Sequence, residues 1–547
     1  MPTTNDDHEN PTTPETSTTL ATHLLAKCSS ILSEVDTFQT LLAQTLRNPQ
    51  LIEVRSLRSS IVSELRTLER LAKKIEDAIA AGDEDTEARN VHALRSSNLP
   101  FYEALWMIAK RSCTGLVAFG KRFYWDGGSC GGDGGLVLAP DDAGADMSVD
   151  TDVGEQEGEK GKGKGKGKGK KVPAKDTRKS VLVDIVADDG EEWVKVSTIS
   201  ENRLSFEMAE KGWEKDSDDE GEEGGGSRTV LRNDEDGNGD DDDDEVGLIK
   251  LAIDMRKVAS ATRVAYKHPK VRFVIPRIEE GKNSDIDDLL SVIRGHGITV
   301  ESGGKYMDSQ TPEGDEVALS HLLPTQFKRL TPSLNVDCTL LLAMVSDLSH
   351  YKAILPSPEH HTAINRQIEI EREHPLLLVE IWPATKDREL LCTDEAAKRM
   401  REIVDTIGTE TEKERTKILM GDSPFSGLET GTLIQKFQEL SDYQVPTQWK
   451  IPINVMEARP VIDLERKQGQ LPIINNVAEV LSDINYSVFL YGWVSGIMTI
   501  SSNRTVVKQI EATVEKHRNG DDDLEGPLVW VCETPRSLIG KEKDRRE

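Results

Sequence analysis

Ser333-Leu334-Asn335-Val336-Asp337-Cys338-Thr339-Leu340-Leu341-Leu342-Ala343-Met344-Val345 is the stretch on which the reading of this chain turns. A short β-prone run meets a single acid and continues at once into an apolar helix. Strand, acid and helix in that order are the signature of an open α/β sheet, whose ligands sit at the carboxyl ends of the strands. The same alternation extends on both sides. Downstream, Leu376–Ile381 reads as a strand, and Asp394–Ile407 as a helix with Thr393 at its N-cap. Ile451–Val455 and Ser487–Leu490 read as further strands, with a helix near Asn476–Asp483 between them, and Leu528–Val531 is expected to be the last strand. Upstream, Leu248–Tyr266 has helical spacing, Val271–Ile275 and Ile298–Val300 read as strands, and Asp285–Arg294 as a helix.

Ahead of these units the pattern changes. Leu24, Cys28, Ile31, Val35, Phe38 and Leu42 recur at steps of four and three, as in an amphipathic helix. Asn48-Pro49 breaks the run, and Val54, Leu57, Ile61, Leu65, Leu68, Ala72, Ile75 and Ile79 resume it as far as Gly82. A helical hairpin follows from this spacing, with a third helix expected over Pro100–Phe119. Its apolar seam serves either internal packing or coiled-coil contact with a protein partner. Val181–Val186 and Trp193–Val196 flank Asp189-Gly190 and predict a β-hairpin, packed on the C-terminal domain with Trp193 buried.

The charge is uneven. Net charge is −29 over 547 residues, yet Asp216–Glu245 alone holds 15 acidic residues against 2 basic ones. A Gly-Lys alternation runs from Lys160 to Lys170, with Lys171 added. Such stretches lack the apolar area that would offset their ordering entropy. The expected plan is therefore disorder over 1–19, a helical domain over 20–135 and a disordered Gly/Lys-rich linker over 136–178. A hairpin segment over 179–213, a disordered acidic insert over 214–245, an α/β segment over 246–330 and an α/β domain over 331–540 complete it. The lysine tract attracts polyanions without specifying a sequence.

The N-terminus has no basic start before an apolar run, no stretch approaches the ~18 apolar residues a membrane span needs, and the six cysteines show no paired spacing. A protein of the cytosol or nucleus, without a membrane partner and with reduced thiols, is the expectation. No phosphate-binding glycine loop is present. Gly421-Asp422-Ser423-Pro424-Phe425 lacks the closing glycine of a nucleophile elbow, and His360, His361 and His374 lack the spacing of a zinc site. The acids carry more chemical promise. Asp337 and Asp394, each at a strand-to-helix junction, form a candidate catalytic pair able to hold Mg²⁺ or Mn²⁺, with Glu380 or Asp483 as a third ligand. Helix-start aspartates are otherwise ordinary.

Val181–Val196, Leu334–Leu341, the segment from Cys392-Thr393-Asp394-Glu395 to Asp405-Thr406-Ile407-Gly408, and Glu533–Leu538 resemble a eukaryotic family built on domain of unknown function number 1308. Its C-terminal domain is similar to PIN-like domains, α/β folds whose active members cut RNA with a divalent metal held by acids. The resemblance implies a PIN-like domain with a central, mostly parallel sheet, beside an all-α N-terminal part. It places Asp337 at the first acidic position and Asp394 at the second. Where a third acid is expected, after Ser487–Leu490, this chain reads Gly492-Trp493-Val494-Ser495-Gly496, and Ser502-Asn503 stands near the closing motif. The implied function is a metal-dependent ribonuclease or a degenerate RNA-related binding module. A non-catalytic protein–protein scaffold is the alternative.

Overall fold

The computed structural model describes residues 16–46, 49–125, 179–213, 246–305, 319–324, 327, 329–358, 360, 362–532 and 536–540. The expected disordered stretches 136–178 and 214–245 lie outside the described residues, as do residues 1–15, His361, Cys130 and Glu533-Thr534-Pro535. Residues 16–19 are ordered, a correction to the expected disorder: Thr16 accepts a hydrogen bond from the backbone of Thr19 and caps a helix that begins at Ser17.

Helices Ser17–Thr45 and Arg55–Ala81 form the expected hairpin. The apolar positions spaced by three and four face each other: Cys28, Ile31, Val35, Phe38 and Leu42 are buried with Leu57, Ile61, Leu68 and Ile75. Gly82 ends the second helix at φ 67°, a conformation that costs glycine nothing. Two more helices follow, Glu84–Arg95 and Leu99–Ser112. The expected helix over Pro100–Phe119 therefore stops early. Residues 118–125 form a strand instead, β1 (Ala118–Trp125), because aromatic residues crowd this stretch and pair with a partner strand.

That partner is β2 (Lys179–Ala187), followed by β3 (Glu192–Val196), β4 (Lys270–Ile275) and β5 (Thr299–Ser302). The sheet order is β1-β2-β3-β4-β5, antiparallel from β1 to β3 and parallel from β3 to β5. Segments 20–135, 179–213 and 246–330, separate in sequence, thus share one sheet. The hairpin pairs Val186 with Trp193 across a turn in which Asp188, Asp189 and Gly190 all have positive φ. Trp193 is fully buried and stacked on Phe123 at 4.0 Å. Its surroundings are the helices Gly247–Ala261 and Ser284–Gly295, so the hairpin does not pack on the C-terminal domain as expected.

The C-terminal sheet contains β6 (Ser333–Val336), β7 (Glu389–Thr393), β8 (Asn454–Met456), β9 (Met498–Ser501) and β10 (Val529–Val531). Its order is β10-β9-β6-β7-β8, and every pairing is parallel. Two expected strands are helical. Leu377–Ile381 is a π-turn leading into Trp382–Thr385. Ser487–Leu490 lies inside the helix Asp483–Val494, and β9 follows it. Both runs are short and predominantly apolar, so periodicity cannot tell them from buried strands.

The two halves meet at the turn after the helix Gly247–Ala261, and Arg329, one residue before Leu330 of the C-terminal core, adds ion pairs to Asp188 and Glu191 of the β2–β3 turn. Tyr266 leaves the end of the helix Gly247–Ala261 with φ 72° and sits in the C-terminal core, where a Cβ on Gly526 would lie 2.5 Å from its ring. Ion pairs surround it: Arg263 with Asp522 at 2.6 Å, Arg263 with Glu515 at 3.2 Å and Lys267 with Glu525 at 2.8 Å. Among the described residues, no helix is long and apolar enough to cross a membrane.

Trp193 fills the middle of the N-terminal sheet's core, so its truncation leaves a large cavity. A Trp193→Ala change is expected to cost about 3 to 5 kcal/mol, measured by urea unfolding followed by circular dichroism. A loss under about 1 kcal/mol would contradict this packing.

Candidate functional site

Parallel strands carry their helices away from one edge, and here that edge is crowded. Helices Cys338–Val345, Asp394–Ile407, Ala458–Gln468 and Arg504–Lys516 each start within a few residues of the ends of β6, β7, β8 and β9. Thr393 and Asn503 cap two of them through their side chains.

Asp337 stands one residue beyond β6 and donates its backbone N–H to the Ile500 carbonyl at 3.0 Å. Its carboxylate is not open to solvent. The residue is 3% exposed, and Oδ2 accepts hydrogen bonds from the Ser501 and Thr339 hydroxyls, both at 2.7 Å. Burial pushes the carboxyl's pKa above the ordinary aspartate value, against the pull of the Ser501 and Thr339 hydroxyls and the backbone N–H groups of Cys338 and Thr339.

Asn335, two residues back along β6, shares this face of the sheet. Its Nδ2 donates to the Val488 carbonyl at 2.8 Å and to Thr499 Oγ1 at 3.0 Å, while its buried Oδ1 has no partner. Thr499 lies opposite Asn335 in the β6–β9 register, and Ser501 lies beside Asp337. On the other flank Thr393 Oγ1 is 3.3 Å from Ser487 Oγ. Asn335, Asp337, Thr393, Ser487, Thr499 and Ser501 are all buried, and together they form a polar seam beneath the helix Asp483–Val494. That helix approaches closely because residue 492 is glycine: a Cβ there would lie 2.1 Å from Thr499 Oγ1.

The other acids are scattered around this seam. Asp394 is exposed in the first turn of its helix, 3.4 Å from the Ala458 backbone N–H. Asp483 is exposed at the start of the helix above the seam. Glu380 is buried and accepts a hydrogen bond from Cys532 Sγ at 3.0 Å. Glu395 pairs with Arg459 at 2.9 Å. Among the described residues, no group of three or more His, Cys, Asp or Glu side chains is placed to hold a metal ion. Asp337 and Asp394 thus share an edge, one sealed and one exposed, and neither Glu380 nor Asp483 completes a ligand set with them. The donors present do not fit Mg²⁺ or Mn²⁺, hard ions that need several oxygens converging at short range.

Other sequence candidates resolve simply. Gly421 is the left-handed cap that ends the helix Glu410–Met420, and Asp422 pairs with Arg401 at 2.8 Å, so no nucleophile elbow exists there. The buried imidazole is a different one, His350, with Nε2 2.8 Å from the Met344 carbonyl and Nδ1 2.9 Å from Ser441 Oγ. Desolvation and the Arg415 guanidinium hold its pKa well below the ordinary histidine value. All five described cysteines are buried thiols outside any disulfide.

Sequence reasoning missed Ser501, Thr499 and Asn335. The alternation of Met498-Thr499-Ile500-Ser501 was their signal, and placing the strand at Ser487–Leu490 concealed it. Three cations also reach the carboxyl edge, since Arg399, Arg459 and Arg504 are exposed within the first two turns of their helices.

Residues 334–423 match the family model described as a protein of unknown function, DUF1308. The matched stretch carries β7, most of β6, Asp337 and Asp394, and stops before β8. No solved structure matches the chain.

Two variants test the seam. Gly492→Ala drives a methyl group into Thr499, and the overpacking is expected to cost about 1 to 3 kcal/mol in a urea melt. Asp337→Asn tests the raised pKa. Between the ordinary aspartate value of about 3.9 and the raised folded one, the folded chain holds more protons than the unfolded chain. Ionisation of Asp337 therefore removes stability as pH rises through that window. Asparagine cannot ionise, so stability of Asp337→Asn relative to wild type should climb across the same window; a difference independent of pH would refute the burial argument.

Proposed function

We propose that the C-terminal domain is PIN-like and acts as an RNA-binding module that has kept the sheet of a nuclease without its metal chemistry. One observation carries the reading: the Asp337 carboxylate is closed over by Ser501 and Thr339 in the position where an active site would present it. A carboxylate that spends its lone pairs on hydroxyls inside the fold serves packing specificity. The parallel sheet with its first strand in the middle, together with the family resemblance, supports the PIN-like assignment. Binding in place of cleavage is supported by the carboxyl edge itself. Helix N-termini collect there and attract anions, and arginines stand exposed on the same rim, Arg459 paired with Glu395, Arg399 with Glu402, and Arg504 at its helix start.

The test uses fluorescent single-stranded RNA with the full chain, read by anisotropy for binding and by gel for cleavage with Mn²⁺ present. Binding without cleavage is expected in wild type and in Asp337→Asn alike. The double change Arg399→Glu with Arg504→Glu should weaken binding roughly tenfold and lower its salt dependence. Mn²⁺-dependent cleavage that disappears in Asp337→Asn would restore the ribonuclease reading. No effect of the double change on binding would leave the protein-scaffold reading in its place.

A further inference from the structure

We infer that this chain pairs with a second copy of itself: the outer flank of the helix Ala458–Gln468, with the free edge of β8 beside it, meets the same surface of the other copy about a two-fold axis. β8 ends the C-terminal sheet and pairs on one side only, with β7. Its residues Asn454, Val455 and Met456 are all exposed. A strand edge of this kind offers backbone N–H and C=O groups to another strand. The helix that follows buries Ala458, Ile462 and Glu465 and has two flanks. On one flank Arg459 pairs with Glu395 at 2.9 Å, and Arg466 donates to Tyr486 Oη at 3.0 Å and to Asn475 Oδ1 at 2.7 Å, so that side lies against the domain. On the other flank Glu457, Val461, Leu464 and Gln468 recur at steps of four, three and four. All four are exposed, Leu464 by 56%.

The occupant is a second copy because the flank is its own complement in charge. An acid, Glu457, precedes the apolar pair Val461 and Leu464, and a base, Lys467, follows it at the rim of the flank. Among the described residues, neither Glu457 nor Lys467 has an ion-pair or hydrogen-bond partner for its side chain. The two charges stand almost equally far on either side of the apolar pair. Antiparallel packing of two copies therefore sets Val461 on the other copy's Leu464 and brings each Glu457 within reach of the other Lys467. Parallel packing would set like charges together. About a two-fold axis every such contact is made twice, so one apolar pair and one charge pair become two of each. The same axis runs β8 antiparallel to its copy, a pairing that a free edge accepts from an identical strand. Three residues of strand are too few to hold two chains, so the helix flank supplies the apolar area and the strand fixes the alignment. None of these residues carries the RNA-binding reading, and the inference does not rest on it.

The experiment is sedimentation velocity of the full chain between about 1 and about 100 μM, a range suited to a contact this small. Wild type is expected to move toward twice the single-chain mass as concentration rises. Leu464→Glu places a charge at the centre of the contact and should keep the chain single across the range. Glu457→Lys sets lysines against each other at both ends and should weaken association about tenfold. Adding Lys467→Glu to Glu457→Lys should restore it, because the charge order is then reversed in both copies. Glu457, Leu464 and Lys467 are all exposed, so far-UV circular dichroism of the variants should match wild type. A single-chain mass at every concentration would overturn the proposal and leave the flank to a different protein or to a segment of this chain. Association that Leu464→Glu leaves intact would overturn it too, as would a double variant that stays as weak as Glu457→Lys. The variants leave Asp337, Arg399 and Arg504 unchanged, so a failure here and a failure of RNA binding are read separately.

Discussion

The C-terminal domain depends on a buried carboxylate that has no charged partner in its immediate hydrogen-bond shell. Asp337 ends the central strand, and its oxygen is held by hydroxyls from the neighbouring strand and from its own helix start. Hydroxyls can satisfy a carboxylate only at hydrogen-bonding distance, so this contact holds β6 and β9 in the register that sets Asn335 against Thr499. That register in turn requires a helix close enough for the Val488 carbonyl to meet Asn335, which only a glycine at 492 permits. Strand order, helix placement and side-chain choice are linked through one polar row. An apolar row would pack as well but would tolerate slippage.

The halves of the molecule are joined on another principle. Tyr266 supplies apolar area and Arg263, Lys267 and their acidic partners supply charge, largely at the surface. Exposed pairs of this kind contribute little each and are screened by salt. The aromatic plug therefore outweighs the ion pairs in holding the halves together. Buried pairs elsewhere act locally: Arg415 with Asp347 at 2.7 Å, both nearly inaccessible, ties the end of the apolar helix after β6 to the helix Glu410–Met420.

Legibility from sequence followed burial geometry. The N-terminal hairpin was readable because each helix buries a single stripe, and one stripe leaves a clear period in the chain. The first sheet's strands were readable where turn residues bounded them. Ser487–Leu490 was not, since its stretch of helix is buried on all sides and has no polar face to mark its period, and Leu377–Ile381 was not, since its exposed position is a leucine, Leu378, and a buried one is a glutamate, Glu380. Misplacing one strand there hid Ser501, the residue whose hydroxyl meets Asp337.

Composition and local pattern by themselves determined an α-helical start, an α/β remainder, the charged stretches that interrupt them, and the strand-then-acid junction at Asp337. They also identified Asp337 and Asp394 as the acids nearest a sheet edge. What only the tertiary structure decided was the state of those acids. Whether a carboxylate is a ligand or a structural acceptor depends on which groups arrive from residues more than a hundred positions away. Ser501 comes to Asp337 through parallel pairing of strands that are distant in sequence, and hydrogen-bond partners at that separation leave no periodic trace in the chain.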